Sequence, residues 1–138
     1  MDTKFYLSQI GRLEKQIQNK MLEIDQLRTM ACSTTVSNEG DRVQTSGDKD
    51  RLGAVVSKIV DMEREVDEMI DKRCDIVSQI DNMKDTDMYD VLANVYILQK
   101  ALKVVAIEKR MSYRHIKRVY SDALKCFEEK YGESYLCN

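Results

Sequence analysis

Apolar residues recur every three or four positions from the first turns of the chain. Tyr6, Ile10, Leu13, Ile17, Ile24 and Leu27 keep that alternation, with Ile at one heptad position and Leu at the other. This is the pattern of a coiled-coil seam. It predicts a helix over residues 3 to 30, roughly 40 Å long at about 1.5 Å per residue. Lys20 stands where the next Leu belongs, with Met21 beside it, and a polar residue in a seam sets register or partner choice at some expense of stability. The periodicity stops at residues 33 to 50, "STTVSNEGDRVQTSGDKD", whose small polar side chains and glycines compete for backbone hydrogen bonds and favour turns. That stretch reads as a loop, with a small β-hairpin of "TTV" and "RVQT" around "SNEGD" as the alternative.

Helical spacing returns over residues 49 to 83, where Leu52, Val55, Val56, Ile59, Met62, Val66, Met69, Ile70, Ile76, Val77, Ile80 and Met83 form a stripe wider than one partner helix needs. Two long helices joined by a loop fold back antiparallel, yet a two-helix hairpin covers each stripe on one side only. A second copy, forming a four-helix homodimer, is the simplest cover. The seam expected to serve as core and dimerisation surface comprises Ile10, Leu13, Ile17, Ile24 and Leu27 on the first helix, and Ile59, Val66, Ile70 and Val77 on the second. Three shorter helices follow, over 87 to 98, 101 to 109 and 112 to 130. The predicted fold is therefore all-α: a long coiled-coil-like antiparallel hairpin over 1–86, a small three-helix unit over 87–131, and a tail over 132–138.

Composition supports helices and narrows the chemistry. The chain lacks proline, and one third of its residues are charged, which suits long solvated helices. No run approaches the length of a membrane span and the N-terminus lacks a secretory core, so a cytoplasmic location without membrane contact is expected. Cys32, Cys74, Cys126 and Cys137 contain no CxxC pair and His115 is the single histidine. Neither a metal site nor a disulfide framework has the spacing it needs, and partly buried reduced thiols are expected. There is no Gly-rich phosphate loop, Cys–His arrangement or nucleophile elbow. The expectation is a protein without catalysis, cofactor or small-molecule substrate.

Charge is uneven. The whole chain carries −2 and residues 51 to 86 carry −3, whereas residues 100 to 125 carry +6. The acids of the second helix lie mostly off the apolar stripe and read as a solvated face. The cations concentrate on the last predicted helix, where Ile116, Val119, Tyr120, Ala123 and Phe127 share one side while Arg114, Lys117, Arg118, Ser121 and Lys125 share the other. Ser112 stands at the N-cap position, placed to accept a backbone N–H near His115, and the positive end of the helix dipole at that turn favours phosphate. A short helix, a tight turn and a second helix with polar and cationic residues near its start make a helix-turn-helix arrangement, in which the second helix enters the major groove. Ser112, Tyr113, Arg114, His115, Lys117, Arg118 and Ser121 are the candidate contacts to double-stranded DNA. A merely solvated cationic face is the plain alternative, and phosphate contacts alone do not separate DNA from RNA.

The strings "YLSQIGRLEKQIQNKMLEIDQLR", "GDRVQTSGDKDRLG", "KIVDMEREVDEMIDK" and "SYRHIKRVYSDAL" resemble a family of small proteins encoded by phages and prophages of Gram-positive bacteria, over residues 5 to 130. "GDRVQTS" is the distinctive string. The tail also resembles region four of primary-type sigma factors and phage late-gene regulators of the ArpU and RinA types. The resemblance implies a DNA-binding regulator of phage gene expression in a bacterial host cell. The alternative is an adaptor docking on host RNA polymerase or another phage protein. Several positions depart from the pattern: Arg110 where a small or Gly turn residue is usual, Lys109 for Leu, Ala101 for a Ser or Thr cap, Val95 for Arg. Val104 and Ile107 put apolar groups on the outer face of the middle helix, either as a docking patch or, as the slightly preferred reading, packed inward against the hairpin.

Overall fold

The computed structural model describes residues 2–37 and 46–136, with side chains over 2–32 and 50–136. It is all-α, and no strand occurs among the described residues. Helix α1 covers Thr3–Ser37 and α2 covers Ser46–Asp81; α3 is Thr86–Leu92 and runs into a π-helical turn, Ala93–Ile97; α4 is Leu102–Lys109, α5 Tyr113–Tyr131 and α6 Glu133–Leu136. Both long helices extend into the stretch expected to be a loop over 33 to 50. A continuing helix gains one hydrogen bond per residue added, while Ser and Thr each cost only about 0.5 kcal/mol relative to Ala. The "TTV" half of the hairpin alternative is helical, and the rest of it, residues 38–45, lies outside the described residues.

Contacts divide the chain into two compact units, Lys15–Asp71 and the pair of segments Met1–Glu14 with Lys72–Asn138. This grouping differs from a division at residue 86, because the small helices are grouped with the start of α1 and the end of α2. In Lys15–Asp71 the core is Ile17 and Ile24 of α1 with Ile59, Met62 and Val66 of α2, flanked by Leu27, Val55 and Met69. Lys20 donates to Glu65 at 2.7 Å, and Arg28 pairs with Glu63, so partners run in opposite order along the two helices. The hydrogen bond and charge of Glu65 hold the Lys20 ammonium above its usual pKa.

A heptad of buried or half-buried positions runs along α2 through Leu52, Val55, Ile59, Met62, Val66, Met69, Arg73, Ile76 and Ile80. Two expected seam residues fall off it. Ile70 is exposed and Val77 half-buried, because each sits one residue C-terminal to a true seam position, about 100° round the helix. Ile10, Leu13, Ile17, Ile24, Ile59 and Val66 are buried and Leu27 half-buried.

The discontinuous unit has two packed centres. Val91, Val105, Ala106 and Ile116 join α3, α4 and α5, with Val95, Leu102, Val119 and Tyr120 around them. Phe127 of α5, fully buried, packs against Tyr6 of α1, Tyr131 and Tyr135, at ring separations of 6.1, 5.0 and 6.2 Å. Residues 132–136, expected to be a tail, instead form a turn that stacks Tyr135 on Tyr6 at 4.2 Å and brings its hydroxyl within 2.9 Å of the Thr3 hydroxyl. Tyr6 in turn donates to Gln79 at 2.7 Å. Asp85 caps α3 by accepting from the Asp87 and Met88 amides, and the π turn closes with Leu98 N–H on the Ala93 carbonyl. That turn aims the Tyr96 hydroxyl at Tyr120 of α5. Burial, and then the bond to Tyr120, push the Tyr96 pKa well above its ordinary 10.0.

Candidate nucleic-acid interface

The surface is built on the junction of α4 and α5. Helix α4 starts at Ala101 without a side-chain cap, as the departure from a Ser or Thr there suggests. It ends at Arg110, which adopts the left-handed conformation at φ 56° and ψ 39°. A non-glycine residue there costs about 1–2 kcal/mol, offset by two closing bonds: Arg110 N–H to the Ile107 carbonyl at 3.2 Å and Met111 N–H to that of Ala106 at 3.0 Å. The chain turns in three residues, Arg110, Met111 and Ser112. The Ser112 hydroxyl then accepts the His115 amide at 3.1 Å and starts α5.

Ile116, Ala123 and Phe127 bury one face of α5, which aims the opposite face outward. The first turns hold Tyr113, Arg114, His115, Lys117, Arg118 and Ser121, and these six with Ser112 are all exposed. Tyr113 organises the cations around it: Lys117 Nζ stands 5.0 Å from its ring centroid and Lys103 Nζ of α4 stands 6.0 Å away. Lys103 therefore joins the α5 cations, a residue that face-by-face reading of α5 alone omits. Lys4 of α1 adds a third element, 5.9 Å from the Tyr120 ring.

Not every cation of the +6 segment is available. Lys100 is paired with Glu108, and Lys109 with Asp90. Lys103, Arg110, Arg114, Lys117, Arg118 and Lys125 have no ion-pair partner among the described residues. No acid among the described residues claims them, so the surface can neutralise an external anion without first breaking one of these bridges.

The inward-packed reading of the α4 pair is overturned. Val104 is 42% and Ile107 77% exposed, because α4 spends its buried face on Val105 and Ala106. The partly buried thiols are corrected as well, since Cys32, Cys74 and Cys126 are free and exposed. Among the described residues no group of His, Cys, Asp and Glu could hold a metal ion, and no helix is long and apolar enough to cross a membrane.

Residues 32–126 match a family described as "Protein of unknown function (DUF1492)". The chain belongs to DUF1492. No curated protein and no solved structure matches it. The DUF1492 match takes in α2, α3, α4 and α5 as far as Cys126, and thus every residue of the cationic surface except Lys4. Most of α1 and all of α6 fall outside it, although Tyr6 and Tyr135 complete the packing beneath α5.

Proposed function

We propose that the chain is a DNA-binding transcriptional regulator of phage gene expression, acting as a homodimer. The carrying observation is the set of six cations without ion-pair partners among the described residues, on α4, at the α4–α5 turn and on the outer face of α5. In this reading α4, the turn and α5 work as a helix-turn-helix. Arg114, Lys117 and Arg118 meet phosphates and guanine edges in the major groove, with Ser112, Tyr113, His115 and Ser121 at its edges. The exposed part of the α2 stripe supplies the dimer surface.

The test is a fluorescence-anisotropy titration of duplex DNA from around the gene, wild type against Arg114→Ala/Lys117→Ala/Arg118→Ala, across a salt series. Every phosphate left without its cation lowers the log–log salt slope by about 0.9. The triple variant is expected to reduce the slope by about 2–3 for each chain on the DNA. Equal binding by the two proteins would remove the proposed reading face. The exposed Val104 and Ile107 favour a second reading, an adaptor docking on host RNA polymerase or another phage protein. In that case Ile107→Asp abolishes function in cells and the triple variant does not.

A further inference from the structure

Two exposed apolar surfaces of this chain carry opposite charge. On α2, Val56, Val60, Glu63, Asp67 and Ile70 lie within about 80° of one another and about 100° from the seam. Val56 and Val60 are each 49% exposed and Ile70 is 40% exposed. Glu63 and Asp67 form one wall of a shallow groove whose other wall is Met21, Asp25 and Arg28 of α1. Three acids thus face a single arginine, itself engaged by Glu63. The second surface lies on α4, where Val104 and Ile107 are one turn apart and Met111, also exposed, follows. Lys103 and Arg110 flank them without ion-pair partners among the described residues, whereas Glu108 is neutralised by Lys100.

We propose that these two surfaces meet across two copies of the chain, the α2 stripe of one seated on the α4 patch of the other. The inference rests on the homodimer reading and names the surface that the α2 stripe meets. Charge decides between the possible partners. Laying the groove on the same groove of a second copy would set Asp25, Glu63 and Asp67 against their own duplicates while water is excluded, which disfavours that pairing. The α4 patch brings the missing sign through Lys103 and Arg110, and apolar groups at helical spacing to lie along the valines. In the joined state Lys103 and Arg110 serve the contact between copies, and the DNA-facing charge is left to the α5 cations Arg114, Lys117 and Arg118. Because those surfaces differ, two copies close the assembly by exchanging both, and otherwise continue head to tail.

The experiment is sedimentation velocity of the full chain up to tens of micromolar, at low and high salt, with helicity of each variant checked by circular dichroism. Wild type is expected to assemble at low salt and to weaken as salt rises. Val60→Asp and Ile107→Asp are each expected to sediment as monomers, and their mixture to associate more than either alone and less than wild type, because a mixed pair has one intact contact of the two. Lys103→Glu/Arg110→Glu, which leaves apolar packing untouched, is expected to lose assembly at low salt. If Ile107→Asp assembles like wild type while Val60→Asp does not, the dimer reading stands and this inference falls. Assembly of Lys103→Glu/Arg110→Glu equal to wild type at low salt overturns it too, and a wild type that is monomeric throughout removes both.

Discussion

Arg73 occupies a heptad position between Met69 and Ile76, where an apolar side chain would continue the seam. Its Nε is buried without a hydrogen-bond partner, and its guanidinium lies 3.8 Å from Glu14, with the two side chains 27% and 40% exposed. A buried donor left unmade costs about 1–3 kcal/mol, whereas a half-exposed pair of that length contributes about 0–1 kcal/mol. The stem of Arg73 already covers some of the apolar surface that a leucine would cover, so the gain from added burial is small. Arg73→Leu is therefore expected to stabilise the protein by about 1–2 kcal/mol. That corresponds to a thermal midpoint higher by about 3–8 °C for a chain of this size. Urea unfolding followed at 222 nm reads the change, and an unaltered denaturant slope assigns it to the folded state. A variant less stable than wild type by about 1 kcal/mol would refute the reasoning, since it would mean that the Arg73–Glu14 pair outweighs the unmade bond.

Phe127→Ala should cost about 3–5 kcal/mol, because three aromatic rings pack on a side chain with no exposure; chemical denaturation measures it, and a loss below about 1 kcal/mol would contradict the packing. Tyr96 gives a pH dependence: its folded pKa lies above the ordinary 10.0, so the fold favours the protonated hydroxyl. Its contribution is complete below pH 10.0 and is lost as pH rises beyond it. Urea midpoints in that alkaline range should fall less steeply for Tyr96→Phe than for wild type, and parallel curves would count against the assignment.

Much of the helical pattern was legible because it depends on local spacing. The seam of α1 follows from alternating Ile and Leu, and the two faces of α5 from Ile116, Ala123 and Phe127 against Arg114 and Lys117. The Ser112 cap is equally local, since a hydroxyl reaches only the amides of the next turn. What escaped depends on partners distant in sequence. Arg73 is in the seam although its side chain is polar, and Ile70 is outside it although its side chain is apolar, because the position of α1 decides which face of α2 is covered. The same holds for α6: four residues have no helical period to read, and Tyr135 matters only because Thr3 and Tyr6 stand against it. Which cations of the basic segment remain unpaired was likewise out of reach, since Asp90 claims Lys109 across nineteen positions.

The joining of Tyr135 to Thr3 and Tyr6 also sets an order of events on the ribosome. The Lys15–Asp71 pairing can form once α2 has emerged, but the unit that holds α5 needs both residue 6 and residue 135, so it is completed only when synthesis has passed α6. Until then the underside of α5 lacks its cover of tyrosine rings. A fragment cut to α3, α4 and α5 would remain in that unfinished condition permanently, and an appendage placed directly before Thr3 or after Leu136 would press on the same aromatic joint.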